Sequence, residues 1–427
     1  MMEDKWRRPR GTMDVVPPDS RRVERLRRLA AETAQRYGYE EIQTPVFEQT
    51  VVFVEGVGEA TDVVQHERYT FVDAGGVSLT LRPEGTAAVA RAYVEHGMQA
   101  WPQPVRLFYW QPMFRHERPQ QGRYRQHTQY GVELFGSAEP TADVEVILVA
   151  VRILQRVAKK PVVHLNSMGC PECRPAYRAA LVAYYGARRD QLCADCQARL
   201  EQNPLRLLDC KRDVELKQGA PDIADFWCEA CRAHHERVTA LLASLSVPAE
   251  RDRALVRGLD YYFRTVFEVH DPALGAQSTL VGGGRYDGLV ARYGGGPVPG
   301  VGFAGGVERL VMVAGDALRV SEPPRVFVAQ VGAGMDAFLA AEALRDRGLA
   351  ADADVLGRSL KAQMKEAARR ARWVVLAGGK EWESGLAPIR HMDDGRTDMV
   401  PRDELAVTLL RYAEAETKQP GEGTKDQ

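Results

Sequence analysis

The chain has 427 residues, 45% of them hydrophobic and 27% charged, with a formal net charge of -1. That length allows two or three domains with a sizeable core, and the balance fits an ordinary soluble globular protein. It excludes a chain-wide electrostatic footprint for nucleic acid, so any such contact has to come from local basic patches. The opening Met1-Met2-Glu3-Asp4-Lys5-Trp6-Arg7-Arg8 lacks the apolar core of a signal peptide, and no apolar run reaches bilayer length. The expectation is a cytoplasmic protein without a membrane span.

Along the chain, Val23, Leu26, Ala30, Ala34 and Tyr37 form one apolar stripe and predict a helix over residues 18–38. Residues 40–136 then give short β-type runs broken by Gly and Pro, as in a largely antiparallel sheet. Two of these runs, Leu107–Phe114 and Tyr130–Phe135, flank the loop Arg115-His116-Glu117-Arg118-Pro119-Gln120-Gln121-Gly122-Arg123-Tyr124-Arg125. Four arginines are a costly choice for a plain turn, since like charges repel and long side chains lose entropy when ordered. They suit a place where polyphosphate or a nucleic-acid end is held, with a solvated surface hairpin as the alternative.

Helical spacing returns over residues 141–158. Residues 168–245 read as an inserted helical subdomain that holds all seven cysteines. Six of them form Cys-x-x-Cys pairs, Cys170/Cys173, Cys193/Cys196 and Cys228/Cys231, and Cys210 stands alone. Without a signal sequence this spacing favours a metal over disulfides. One structural zinc on Cys193, Cys196, Cys228 and Cys231 is the preferred assignment. Cys170/Cys173, with or without Cys210, is the competing set, and free buried thiols are the other alternative.

Sheet-like sequence resumes at Arg253, and Val307–Ala314 is expected to open a helix. Pro323-Pro324 marks a boundary, after which strands at Val326–Val331, Trp373–Ala377 and around Met399 alternate with helices at Ala337–Arg347 and Ser359–Arg370. That alternation predicts a compact α/β domain with parallel strands over residues 325–412, followed by a disordered tail, 413–427. Within it, Gly332-Ala333-Gly334-Met335-Asp336-Ala337 follows a strand and opens a helix, with Asp352 about twenty residues on, a pattern compatible with dinucleotide binding. Ordinary turn glycines explain it equally well.

The arginine-rich loop resembles motif 2 of class II aminoacyl-tRNA synthetases, and specifically of histidyl-tRNA synthetases. Three more segments are similar to that family's motifs and follow in the same order. They are Leu81-Arg82-Pro83-Glu84-Gly85-Thr86, then Val256-Arg257-Gly258-Leu259-Asp260-Tyr261-Tyr262 with Gly282-Gly283-Gly284-Arg285-Tyr286-Asp287-Gly288, and finally Gly300–Leu310. The resemblance runs from Arg10 to about residue 410. It implies an α+β fold: a class II antiparallel sheet with flanking helices in residues 1–167 and 246–320, the helical insertion, and a C-terminal α/β anticodon-binding domain. It also implies a homodimer built on the first helix and the strand after it, with L-histidine and histidine tRNA as partners.

Carboxylate attack on the α-phosphate of ATP builds negative charge that fixed cations must meet. The resemblance assigns Arg115 and Arg257 to that task, and Glu84, Thr86 and Gln129 to the histidine ammonium. Glu133 would face the imidazole, with Tyr261 and Tyr262 lining its pocket. Glu117, Arg123, His127 and Arg309 would hold ATP, whose Mg2+ rides with the pyrophosphate end. Departures are His127-Thr128 where the family has Phe-His, Gln121 in place of a basic residue, and Gln65-His66-Glu67-Arg68. Two other functions compete. One is a catalytically silent paralogue, the regulatory subunit of ATP phosphoribosyltransferase, which lacks the C-terminal domain. The other is an oxidoreductase using the glycine turn at Gly332.

Overall fold

The computed structural model describes residues 4–58, 61–118, 122–158, 160–210, 212–272, 279–318 and 325–418. The boundary at Pro323-Pro324 and the loop residues Pro119-Gln120-Gln121 lie outside them. The chain packs as two compact units, Met1–Val320 and Ser321–Gln427.

The first unit is built on an eight-stranded sheet that is antiparallel except for the outermost pair at each edge. Its central strands are Val105–Phe114, Gln126–Phe135, Gly300–Gly306, Thr279–Arg285 and Phe263–His270. Apolar residues on one face, among them Val132, Leu134, Val269, Val301 and Phe303, pack against helix Pro140–Leu154, which is buried almost throughout. That helix is in turn covered by Asp19–Arg36, whose Leu26, Ala30 and Ala34 are buried as the predicted stripe requires. Burial of such apolar area, at about 25 cal/mol per Å², is what holds the layers together.

Between strand Val162–Ser167 and strand Ala249–Arg251 the chain is helical, and those two strands pair in parallel. The chain therefore leaves the sheet edge and returns beside its point of departure. The excursion has its own core around Tyr177, Leu181, Tyr185, Leu200 and Leu207.

In the second unit the expected strands and helices are present, with Val326–Gln330 and Trp373–Ala377 central and buried. The sheet corrects one expectation. Ala351–Ala353, Val326–Gln330 and Trp373–Ala377 are parallel, but Leu386–His391 and Thr397–Pro401 add antiparallel strands, so the sheet is mixed. The tail needs correction too, because the last helix runs Leu405–Lys418 and takes in residues 413–418. Leu405 and Leu409 anchor it in the core of that unit.

Candidate active site

Strand Gln126–Phe135 supplies three residues of the predicted site, because side chains alternate faces and positions 127, 129 and 133 fall on the same one. His127 and Gln129 line a cleft of about 490 Å³. Arg115, Glu117 and Arg123 come to it from the hairpin loop, Arg257 from the segment before strand Phe263–His270, and Arg309 from helix Val307–Ala314. Every residue assigned to ATP thus borders one space, as do Arg115, Arg257 and Gln129 from the histidine set. A larger hollow of about 650 Å³ in the second unit is lined by Leu, Ala and Trp382 together with Asp336, Arg347, Arg402 and Asp403, and contains none of the predicted site residues.

The arginines are held by different means. Arg115 Nε donates to the Pro83 carbonyl at 2.8 Å, and its guanidinium lies 3.8 Å from Glu117. Glu117 also faces Arg123 at 3.5 Å. Arg309 donates to the Thr279 carbonyl at 2.7 Å. Burial, followed by the neighbouring Arg123, holds the Arg309 pKa below the usual arginine value.

Arg257 is fixed most tightly: it ion-pairs with Glu268 and lies over the Tyr262 ring, 5.6 Å from its centroid. Burial opposes its charge, but Tyr262 and Glu268 more than offset this and raise its pKa above the usual value. A Cβ at Gly282 would sit 2.4 Å from Arg257 Nη1, so glycine at 282 is the seat of the guanidinium. Its Nε has no hydrogen-bond partner among the described residues, nor do Gln129 Oε1 and His127 Nδ1. Buried polar atoms left unpaired at a cleft wall suit a polar ligand that completes them. His127 is neutral, its pKa lowered to about 3 by burial and by Arg115.

The remaining histidine-site candidates form a buried box. Glu84 accepts from the Thr86 and Ala87 N–H groups at 2.8 Å each, so its carboxylate caps helix Thr86–Glu95. Thr86 Oγ1 donates to Glu133 at 2.7 Å, and the Tyr286 hydroxyl donates to the other Glu133 oxygen. Glu133 is fully buried, and burial raises its pKa to about 8 despite these two hydroxyls. Tyr261 packs against both Tyr262 and Tyr286, with ring centroids 4.8 and 5.7 Å apart. A Cβ at Gly302 would fall 1.8 Å from a Glu133 oxygen, which explains a second glycine in these motifs.

Some motif residues are structural. Arg82 is buried on the Thr44 and Pro112 carbonyls. Arg285 is fully buried against Asp143 and Asp287. Sequence reasoning missed Tyr286, Glu268, Glu308, Arg206 and Asp209 as parts of the site. Tyr286 lay inside a quoted motif, and Glu268 is an acidic residue flanked by Phe267 and Val269 in a strand. Arg206 and Asp209, from the helical excursion, gave no signal; they line the cleft, and a Cβ at Gly258 would meet Arg206 at 2.3 Å.

The cysteine assignment is corrected. Cys193 and Cys196 do not meet Cys228 and Cys231; they gather with Cys210 and Asp213, while Cys228 and Cys231 gather with Cys170 and Cys173. At the glycine turn in the second unit, the helix N-terminus is already occupied: Gln330 Oε1 accepts from the Ala337 N–H at 2.9 Å, and Asp336 adds negative charge. Such an end repels a phosphate rather than attracting one.

Comparison with known proteins agrees with this geometry. The family profile "Histidyl-tRNA synthetase" matches residues 11–310, and "Anticodon binding domain" matches residues 326–412. A histidine–tRNA ligase of Desulforudis audaxviator is 49% identical over 415 residues, covering 95% of this chain and 99% of that protein. One of Desulforamulus reducens is 47% identical over 411 residues, covering 94% and 98%. The structure of apo S. aureus histidyl-tRNA synthetase superposes with a TM-score of 0.79 at 36% identity, covering 94% of this chain and 99% of that one. A family match over most of the chain, relatives of equal length and a shared fold lead to one conclusion: this chain belongs to the histidyl-tRNA synthetase family of class II aminoacyl-tRNA synthetases.

Proposed function

We propose that this protein adenylates L-histidine with ATP and transfers it to the 3' end of histidine tRNA, releasing pyrophosphate and AMP. The observation that carries this reading is the convergence of Arg115, Arg123, Arg257 and Arg309 on one cleft beside the Glu84–Thr86–Glu133 box. Arg257 and Arg115 stabilise the charge that develops on the α-phosphate as the histidine carboxylate attacks. Arg123 and Arg309 hold the outer phosphates, Glu117 holds the Arg115 and Arg123 side chains in place before the nucleotide enters, and His127 borders the adenine. Mg2+ arrives with ATP and neutralises the leaving pyrophosphate. Gln129 Oε1 and the Glu84 carboxylate receive the ammonium, and Thr86 orients Glu133.

Glu133 receives an imidazole N–H, with Tyr261 and Tyr262 excluding water around the ring. A site that leaves buried acceptors unpaired rejects amino acids without matching donors. The working form is a homodimer in the cytoplasm, joined through helix Asp19–Arg36 and the strand that follows it. No helix among the described residues is long and apolar enough to cross a membrane.

The silent-paralogue reading is disfavoured because four phosphate-directed arginines line the cleft and residues 326–412 match an anticodon-binding domain. The test is exchange of labelled pyrophosphate into ATP in the presence of each amino acid in turn. Histidine alone is expected to support it; exchange with another amino acid, or with none, overturns the reading.

A further inference from the structure

The helical excursion carries two separate clusters of metal-binding side chains, neither used in the chemistry above. In each, the four donor atoms lie within 4.8 Å of one another. In the first, Cys170 Sγ lies 3.6 Å from Cys173 Sγ and 3.8 Å from Cys228 Sγ. In the second, Cys193 Sγ lies 3.8 Å from Cys210 Sγ. Zinc–thiolate bonds of 2.3 Å in a regular tetrahedron place sulfurs about 3.8 Å apart. A disulfide requires about 2.05 Å.

The surrounding backbone matches a thiolate site. Cys173 ends a tight turn and helix Arg174–Gly186 follows it, while Cys228 and Cys193 directly precede helices Glu229–Ser244 and Ala194–Gln202. Cys231 and Cys196 sit in the first turns of the latter two helices, where the helix dipole favours negative charge. Backbone N–H groups point at sulfur: Cys228 N lies 3.2 Å from Cys173 Sγ, and Arg212 N lies 3.4 Å from Cys210 Sγ. The second cluster takes its fourth donor from Asp213, one of whose oxygens also accepts from the Cys193 N–H at 3.2 Å.

Simple packing of thiols does not account for this. Cysteines used as small apolar fillers have no reason to gather four around one point, or three beside the Asp213 carboxylate. Arg264 holds a left-handed backbone, φ 50°, unusual for a residue with a side chain, and that side chain reaches Cys231. A tetrathiolate zinc site carries a net negative charge that such a neighbour offsets.

We propose that the excursion binds two zinc ions, one on Cys170, Cys173, Cys228 and Cys231 and the other on Cys193, Cys196, Cys210 and Asp213. The first ties helix Arg174–Gly186 to helix Glu229–Ser244. The second ties helix Ala194–Gln202 to the short helices Pro204–Asp209 and Val214–Gln218, and so braces the segment that brings Arg206 and Asp209 to the cleft. Small helical cores commonly need such clamps.

Elemental analysis of the full-length protein, purified with reductant and without chelator, is expected to find about two zinc ions per chain. X-ray absorption at the zinc edge is expected to average about 3.5 sulfur ligands per zinc. Cys173→Ser is expected to lose one ion and Cys196→Ser the other. Where those variants do not fold, the wild type itself decides: denatured with chelator and no reductant, it is expected to yield all seven cysteines to alkylation. Fewer alkylated cysteines would mean disulfides and overturn the proposal. Zinc below about 0.2 per chain with seven free thiols would overturn it as well. A single zinc ion, lost in Cys173→Ser and kept in Cys196→Ser, would overturn the second site.

Discussion

Two glycine-rich segments look alike on paper, Gly282-Gly283-Gly284 in the first unit and Gly332-Ala333-Gly334 in the second, yet they do different physical work. At Gly282 the space a side chain would fill is taken by the Arg257 guanidinium. At Gly332 a Cβ would meet nothing within 4 Å, and only the backbone angle, φ 72°, calls for glycine. The first makes room for a charge that must be placed; the second turns a corner. A glycine pattern points to ligand chemistry only when something chemical occupies the vacated volume.

The strongest way to break that contrast is to remove the charge itself. Arg257→Ala is expected to slow adenylation by roughly two orders of magnitude, about 3 kcal/mol, while histidine affinity changes far less. Pyrophosphate exchange alongside histidine titration checks it, and an unchanged exchange rate would remove Arg257 from the mechanism.

Glu133 sharpens the contrast through Gly302, which gives it room. Its ordinary pKa of 4.5 is raised to about 8 in the fold. Between those values the folded state binds more protons than the unfolded one, so this group's stabilising share is complete below about pH 4.5 and is lost as pH rises through 8. Between pH 5 and pH 7 the wild type is expected to lose about 2.5 kcal/mol relative to Glu133→Gln. Urea unfolding of both proteins at the two pH values measures it; parallel pH profiles would mean that Glu133 is ionised in the fold.

The smallest effects separate the two glycines directly. Gly282→Ala leaves the flexible end of Arg257 to yield, so the fold is expected to survive and adenylation to fall about tenfold. Gly332→Ala is expected to cost about 1 kcal/mol of stability through its backbone angle and leave adenylation unchanged. Kinetics and thermal unfolding of the pair test this, and equal kinetic losses in both would erase the distinction.

What the sequence revealed follows the same division. Helix Val307–Ala314 and strand Trp373–Ala377 were legible to the residue, because their apolar patterns are bounded by Gly, Pro or charge. Strand Leu386–His391 was not, since Pro388 lacks a donor and argues against a strand with a neighbour on each side. The motif arginines were legible, whereas Glu268 and Tyr286, which hold Arg257 and Glu133 in place, depend on cross-strand register. Cys-x-x-Cys spacing identified the pairs but not which pairs meet. It also gave no sign that an aspartate, Asp213, stands where a fourth cysteine was sought.

Glu117 lies between Arg115 and Arg123, 3.8 Å from one and 3.5 Å from the other. On the function proposed above it is a placeholder: its carboxylate occupies the position between two cations that a phosphate oxygen would take. Nucleotide entry is then an exchange of one anion for another, in which both arginines stay partnered throughout. Part of the attraction between ATP and the arginines is cancelled beforehand, so the cleft gives up affinity for stray anions such as free phosphate. A ligand with several phosphates makes more contacts with these arginines than a single inorganic anion does, so competition with that carboxylate favours a nucleoside triphosphate.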